Sequence, residues 1–352
     1  MFSIIRNLEG NVVWQDSRNV LIRGNSLELL PLIPDASIDL IVTDPPYHTT
    51  KKGNIVGDTA FADDEQYLCW LDKYVVEWCR IMKPTASLYC FCSSKMAARV
   101  EVMMRNRLSV FSNITWTKPN APGFDGWKQK AKKESFREWY DHSEHIIFAA
   151  PAFNGNMFNS YFGNKLREWR TAAGMTMKEL SEITKSYGRV NHGGAVANWE
   201  AGRNIPSKNQ YSELVKALQP FIKEELPQYE MVIRPFHVDS KMEFTDVWNY
   251  PNVRPYKGKH PAEKPCEMLE AIISASSNPE DIVFDCFAGS GSTAISALKL
   301  GRRAISMEID EKWITTCEKR FKVLAESEYS SFPANSEQMR DLSSICKDQY
   351  LF

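Results

Sequence analysis

The ten residues IDLIVTDPPY, at positions 38–47, decide the fold. Residues 38–42 are mostly apolar, rich in β-branched side chains and too few for a helix, so they predict a buried strand. Pro45 and Pro46 end that strand, because a proline has no N–H and a fixed φ. Asp44 and Tyr47 are therefore expected at the carboxyl end of a strand, where open α/β sheets bind their ligands.

The composition is that of an ordinary globular protein. The 352 residues are 43% hydrophobic and 25% charged, with a formal net charge of −1, so binding to a polyanion has to use local basic patches. No apolar run of membrane-spanning length and no signal-like segment occurs, which predicts no membrane association and a cytoplasmic location. The eight cysteines lack the paired spacing of a zinc site and predict reduced core residues.

Strands and helices alternate along the first 150 residues. Apolar residues between 63 and 82 recur at helical spacing, and short apolar runs at 86–92, 111–117 and 145–149 predict strands. This alternation is typical of a mostly parallel sheet covered on both faces.

A basic stretch lies between the last two of these strands, at residues 127–137. It has two interpretations, a solvated loop or a loop that faces the phosphates of a nucleic acid. Its basic residues are Lys128, Lys130, Lys132, Lys133 and Arg137.

Residues 164–220 predict a compact module of four helices. A capping box of Thr176 and Glu179 opens the second helix, and residues 163–210 contain eight basic and four acidic side chains. The sequences LREWRTAAGMTMKEL and AVANWEAGRNIPS resemble the Cro/repressor-type helix-turn-helix, apart from a longer segment at 184–194. This resemblance implies that Asn198 and Arg203 contact DNA. The alternative is a helical insert without that role.

A glycine-rich turn, FAGSGST at residues 287–293, lies between a predicted strand and a predicted helix. Glycines let the backbone approach a ligand closely, and a helix N-terminus offers unpaired N–H groups. The turn has neither the Walker pattern nor the dinucleotide pattern. Glu308 ends the next predicted strand, where a carboxylate can accept hydrogen bonds from ribose hydroxyls. A nucleoside without phosphates, such as S-adenosylmethionine, fits these features.

The two motifs together resemble the β group of DNA amino-methyltransferases, which act on adenine N6 or cytosine N4. The similar stretches are GNSLELLPLIPDASIDLIVTDPPY (24–47) and HPAEKPCEMLEAIISASSNPEDIVFDCFAGSGST (260–293). The resemblance implies an α/β fold: a circularly permuted, Rossmann-like sheet of seven strands with the helical insert. It implies a catalytic part at 1–150, a target-recognition region at 151–250, a cofactor-binding part at 251–325 and a C-terminal tail at 326–352.

The resemblance also implies roles for the tetrad Asp44-Pro45-Pro46-Tyr47. The Asp44 carboxylate and the Pro45 carbonyl would accept the two hydrogens of the target amine and orient its lone pair. Tyr47 would stack on a base that has left the duplex. Methyl transfer from a sulfonium needs no metal.

Further residues would bind the cofactor. Phe287, Ala288, Gly289, Ser290 and Gly291 would surround its methionine part, and Glu308 its ribose. Lys264 would border the methionine pocket or be a surface lysine, and Thr293 would bind cofactor or only start a helix. His260 is expected to pack rather than to catalyse, and His48 receives no role. The remaining implied cofactor residues are Asn25, near the adenine, and Asp285, at the start of the turn.

The sequence thus indicates a site-specific methyltransferase for adenine N6 in double-stranded DNA. Aspartate at the first tetrad position favours adenine over cytosine N4, where serine is more common. Three alternatives stay open: a cytosine-N4 enzyme, an RNA or protein-glutamine methyltransferase, and a DNA-binding regulator with a vestigial methylase domain. A homodimer and an accompanying restriction endonuclease also stay open.

Overall fold

The computed structural model describes most of the chain. The described residues are 3–48, 61–119, 141–152, 160–186, 194–239 and 244–329, together with the single residues 134, 137, 139 and 242.

Within these ranges nine strands form one sheet, in the order β1-β2-β9-β8-β3-β4-β6-β5-β7. The five strands from β2 to β4 in that order are parallel, whereas β1 and β6 pair antiparallel with their neighbours. The strands are β1 (Val12–Gln15), β2 (Asn19–Arg23), β3 (Ile38–Thr43), β4 (Met82–Ser93), β5 (Leu108–Thr117), β6 (Ser143–Pro151), β7 (Val247–Asn249), β8 (Ile282–Asp285) and β9 (Arg303–Glu308).

Eleven α-helices accompany the sheet in the described part of the chain. None of them is long and apolar enough to cross a membrane. The helices are α1 (Ser26–Leu29), α2 (Asp64–Ile81), α3 (Ala97–Arg105), α4 (Tyr161–Ala172), α5 (Met177–Ile183), α6 (Gly194–Glu200), α7 (Lys208–Leu218), α8 (Tyr229–Val232), α9 (Cys266–Ser276), α10 (Ser292–Lys299) and α11 (Glu311–Tyr329).

The sheet order places C-terminal strands inside an N-terminal sheet. Strands β8 and β9 lie between β3 and β2, as a permuted chain requires. The expectation of a mostly parallel α/β sheet is confirmed, but the expectation of seven strands is wrong. The two additional strands, β1 and β7, occupy the two edges, and β7 lies in a segment that the sequence predicted to be irregular.

Apolar side chains cover both faces of the sheet. On one face, α2 buries Tyr67, Leu71, Tyr74, Val75 and Trp78, the residues that its helical spacing predicted. Each such burial contributes roughly 1.5–3 kcal/mol. Helices α9 and α10 cover the other face. The two layers hold the strand ends, and hence the loops that follow them, in fixed positions.

The cysteines only partly fit the expectation of core residues. Cys90, Cys92, Cys286 and Cys317 are buried, and burial raises the pKa of each thiol. Cys69 lies exposed on α2, so the expectation is wrong for that residue. Cys346 lies outside the described residues.

Helices α4 to α8 share a hydrophobic core that is separate from the two layers of the sheet. Helix α4 begins at Tyr161, earlier than the sequence predicted, because the Ser160 hydroxyl caps it by accepting from the N–H of Gly163. The capping box of Thr176 and Glu179 is present at α5, as predicted. A Cβ on Gly163 would lie 2.7 Å from the carbonyl oxygen of Trp199, so only glycine lets α4 and α6 approach this closely.

One buried carboxylate joins α4 to α6. The side chain of Glu200 is 1% exposed, and its Oε1 accepts from Arg170 Nε at 2.5 Å. Its Oε2 accepts from Arg167 Nε at 3.4 Å. A buried charge left without its partner is costly, so this pair is a point of high sensitivity.

Glu200→Ala is expected to lower the free energy of unfolding of this module by about 3 kcal/mol, because it removes the carboxylate to which the partly buried Arg170 donates. Urea denaturation followed by circular dichroism would measure the loss. Glu168→Ala, on α4 of the same module, is the matched control. The ion pair of Glu168 with Lys165 is exposed to solvent. That control is expected to cost about 0.5 kcal/mol or less. Equal losses in the two variants would contradict the assignment.

Candidate active site

The carboxyl ends of β3 and β8 bring the two sequence motifs together. These strands pair in parallel, with Leu40 opposite Val283 and Ile41 opposite Phe284. The Thr43 hydroxyl donates to Asp285 Oδ1 at 3.0 Å, across 242 positions of sequence. The tetrad and the glycine-rich turn therefore leave the sheet side by side.

Asp44 has one engaged and one free carboxylate oxygen. Its Oδ2 accepts from Lys264 Nζ at 2.5 Å. Its Oδ1 is buried and accepts no hydrogen bond of normal geometry from the described residues. Burial raises the pKa of Asp44, and the neighbouring Lys264 ammonium opposes that rise. A buried acceptor without a donor is costly, so Oδ1 indicates a place for an N–H of a ligand.

Lys264 is buried at the centre of the site, with 7% of its side chain exposed. Its ammonium lies 3.5 Å from Glu144 Oε2. The ring centres of Tyr47 and Phe91 lie farther away, at 5.3 and 5.1 Å. Burial alone would lower the pKa of Lys264, but Asp44 and Glu144 raise it, so the ammonium stays charged. The interpretation as a surface lysine is wrong, and the residue pairs with the tetrad carboxylate.

Tyr47 is held at both ends. Its backbone follows the two prolines, and its hydroxyl donates to Glu144 Oε2 at 2.8 Å. Burial and the two nearby carboxylates raise the pKa of this phenol well above its usual value, so it remains neutral. Pro45 is buried and Pro46 is partly buried beside it.

Sequence reasoning missed Glu144. This residue is the second of β6, and Lys118 at the end of β5 also pairs with it, through Oε1. The only sequence signal was an acid opening an otherwise apolar strand, SEHIIFAAP. Such a signal is common in exposed strand ends, so it does not by itself indicate a site.

Glu308 and the glycine-rich turn form the other half of the site. Glu308 Oε2 accepts from the N–H of Gly289 at 2.7 Å, and Oε1 accepts from Ile309 and Asp310 at 2.9 Å. Burial raises the pKa of Glu308. Gly289 and Gly291 have φ of +52° and +77°, and a Cβ on Gly291 would lie 2.9 Å from the Phe321 ring.

The other predicted cofactor residues surround this edge. Gly24 donates to the Glu308 carbonyl at 2.9 Å, which places Asn25 next to Glu308, where it caps α1. Asp285 accepts from the N–H of Phe287, and burial raises its pKa to about 6. Thr293 is buried and hydrogen-bonds Asp285, a role that helps to start α10.

The glycine-rich turn is held by ring packing and by hydrogen bonds of its backbone. The Phe287 ring lies 4.9 Å from Tyr74 and 5.9 Å from Trp70, both on α2. Ala288 donates to the Met307 carbonyl, and the Ser290 carbonyl accepts from Arg320 at 2.8 Å. The turn is thus fixed from both of its sides.

Two histidines near the motifs have packing roles in this structure. His260 lies edge-on to Trp313 at 4.3 Å, as the packing interpretation predicts, and burial lowers its pKa to about 4. His48 is stacked on Tyr67 at 5.6 Å.

The predicted DNA contacts are only partly described. Lys128, Lys130, Lys132 and Lys133 lie outside the described residues. Arg137 is exposed and donates to the Glu134 carbonyl at 3.0 Å. In the helical module, Arg203 donates to Asn198 Oδ1 at 3.2 Å near the end of α6.

Two known proteins are similar to this chain over most of its length. A protein called DNA adenine methyltransferase YhdJ, from Escherichia coli K12, is 26% identical over 332 residues, covering 93% of this chain and 90% of that protein. The Type II methyltransferase M.HinfI of Haemophilus influenzae is 24% identical, covering 87% of this chain and 69% of that protein.

A solved structure shares the fold. The PvuII DNA methyltransferase, described as cytosine-N4-specific, superposes with a TM-score of 0.52 at 17% identity, covering 94% of this chain and 93% of that one. The family model for DNA methylases of the N6/N4 type matches residues 38–319, which include both motifs. The chain therefore belongs to the N6/N4 family of DNA methylases, which are S-adenosylmethionine-dependent methyltransferases.

Proposed function

We propose that this protein methylates the N6 amine of adenine at specific sites in duplex DNA. The observation that carries the proposal is the buried, unengaged Oδ1 of Asp44 at the strand edge that also holds the glycine-rich turn. Aspartate as the first tetrad residue supports adenine, and so does the name of the relative YhdJ.

The tetrad would act by orienting the target amine. Its nitrogen is a poor nucleophile, because the lone pair is delocalised into the ring. Acceptance of its two hydrogens by Asp44 Oδ1 and the Pro45 carbonyl favours a pyramidal nitrogen with a directed lone pair. The Tyr47 ring would stack on the flipped base. Lys264 opposes the rise in the pKa of Asp44 that burial causes, and it occupies the oxygen that the amine does not use.

The second half of the site fits S-adenosylmethionine. Glu308 would accept from the ribose hydroxyls, and the positive-φ glycines let the backbone lie against the amino acid part. The Asn25 amide would lie near the adenine. The bound cofactor supplies an electrophilic methyl group.

Glu308→Ala is expected to weaken S-adenosylmethionine binding by roughly 10–100-fold, because hydrogen bonds to a charged group are lost. Isothermal titration calorimetry on the purified protein measures this directly. Glu311→Ala is a suitable control, since Glu311 is a nearby exposed acid that pairs only loosely with Arg23. An unchanged affinity in Glu308→Ala would remove this residue from the cofactor site.

The helical module would read the DNA. Its four main helices, the charge balance of the segment and the buried link from Arg170 to Glu200 support a helix-turn-helix of the Cro/repressor type. In that arrangement α6 enters the major groove, with Asn198 and Arg203 near its end as candidate contacts. Residues 151–250 would form the target-recognition region, and the protein would act in the cytoplasm of a bacterial cell.

Nucleoside analysis tests the base assignment. Unmethylated genomic DNA would be incubated with the protein and a cofactor that carries a labelled methyl group, then digested to nucleosides. Label in N6-methyl-2′-deoxyadenosine is the expected result. Label in N4-methyl-2′-deoxycytidine without N6-methyl-2′-deoxyadenosine would overturn the assignment to adenine.

A further inference from the structure

A second carboxylate, Glu144, contacts three groups in the wall of the active site. Its Oε2 accepts from the Tyr47 hydroxyl at 2.8 Å and lies 3.5 Å from Lys264 Nζ. Its Oε1 pairs with Lys118. The side chain is 17% exposed. Glu144 therefore connects the ring of the tetrad with the lysine that engages Asp44.

The cluster contains two carboxyl groups, Asp44 and Glu144, and two lysines, Lys264 and Lys118. Burial favours the neutral form of Glu144, yet Lys264 and Lys118 hold its pKa at about 2, so it is ionised. Because a buried unpaired charge is costly, removal of one member changes the arrangement of the others.

We propose that Glu144 is a positioning residue for methyl transfer, which fixes the Tyr47 ring and holds Lys264 on Asp44 Oδ2 so that Oδ1 stays open to the target amine. This inference rests on the proposed function.

The hydrogen bond from Tyr47 gives the ring a second fixed point beyond its backbone. A ring that is fixed before the base arrives loses less freedom when the base stacks on it. Lys264 is the second group that Glu144 positions. It lies between the carboxyl groups of Asp44 and Glu144, and its shorter contact is the hydrogen bond to Asp44 Oδ2. With Glu144 ionised, Lys264 has two anionic partners and a defined place between them.

The pH dependence of the reaction would report this arrangement. Asp44 and Glu144 raise the pKa of Lys264. Removing the charge of Glu144 takes away part of that effect, so Lys264 would lose its proton at a lower pH. The alkaline limb of the rate profile should then move to lower pH. The titratable groups that face this cluster are Asp44, Glu144, Tyr47, Lys118, Lys259, His260, Cys90, Cys92 and Asp285.

The test compares the full-length protein with its Glu144→Gln variant on duplex DNA. The target site in that duplex is first identified by sequencing DNA that the wild type has methylated. Glutamine keeps the shape and the acceptor for Tyr47 but removes the charge. We expect kcat to fall by about 10²-fold, as for a small misplacement of reacting groups. The Kd of S-adenosylmethionine should change less than threefold, and the alkaline limb should shift to lower pH.

Glu101→Gln is the matched control. Glu101 is a partly buried acid on α3 whose carboxylate accepts from Asn113 and Arg105, away from the tetrad. Its variant should keep the wild-type rate and pH profile. Glu144→Asp, which keeps the charge, should recover part of the rate lost in Glu144→Gln.

An unchanged kcat and pH profile in Glu144→Gln would overturn the inference, while a wild type that methylates adenine would leave the proposed function intact. A wild type that methylates no DNA would instead overturn the proposed function. If Glu144→Gln does not fold, Tyr47→Phe decides, because it keeps the ring and removes only the hydroxyl. A wild-type kcat in Tyr47→Phe would then contradict the role of the Tyr47–Glu144 bond.

Discussion

Asp44→Ala should slow methyl transfer by about 10²–10³-fold and leave S-adenosylmethionine bound. The variant removes the oxygen that is open to the target amine, and loss of one preorganised polar group at a reacting centre costs about 10²–10³-fold. It also removes the partner of Lys264. Single-turnover transfer of a labelled methyl group measures the chemical step, and calorimetry measures cofactor binding.

Stability has to be controlled in that experiment, because the buried Lys264 then keeps only the more distant Glu144 as a partner. Breaking a buried ion pair can destabilise a fold by about 3–5 kcal/mol. Asp44→Asn combined with Lys264→Met removes both charges and keeps most of the side-chain volume. This double variant should fold, bind the cofactor and remain slow. Wild-type rates in Asp44→Ala would refute the role of the tetrad carboxylate.

Removal of the helical module should abolish site selection while cofactor binding persists. Its core extends from Phe162 to Ile233, so the deletion has to cover residues 161–233 and be closed with a flexible linker. Specific binding is typically 10³-fold or more tighter than non-specific binding, so competition between a target duplex and random DNA would show the loss clearly.

Point variants provide the control for that deletion. Asn198→Ala with Arg203→Ala removes two polar side chains near the end of α6 without touching the module's core. Each contact to a base edge is worth about 1–3 kcal/mol, so the pair should relax the recognised sequence and leave S-adenosylmethionine binding unchanged. Wild-type sequence preference in the deletion protein would show that the module is not the reader.

Local patterns carried the parts of the fold that sequence reasoning could predict. The face of α2, the cap of α5 and the strand that precedes Asp44 each depend on residues within a few positions of one another. The number of strands in the sheet depends instead on pairing between distant parts of the chain. Strand β7 has only three residues, and it is defined by its pairing with β5.

In the active site, too, local motifs could be predicted from the sequence, and contacts between distant residues could not. The tetrad and the glycine-rich turn are each one continuous stretch of sequence, so each was predicted from its own residues. The Asp44–Lys264 pair spans 220 positions, and Glu144 reaches the tetrad only because β6 lies beside β4. No local pattern distinguishes a lysine that a fold will bury from one that it will expose. The charge cluster was therefore found only in three dimensions.

The most direct measurement is a crystal structure of the protein with a methyl-free cofactor analogue and duplex DNA containing its target site. We expect a flipped adenine whose N6 lies about 2.7–3.2 Å from Asp44 Oδ1, the range of a hydrogen bond, with Lys264 still on Oδ2. The analogue should lie against Glu308 and the glycine-rich turn. An adenine amine far from Asp44, or a target base bound elsewhere, would contradict the account.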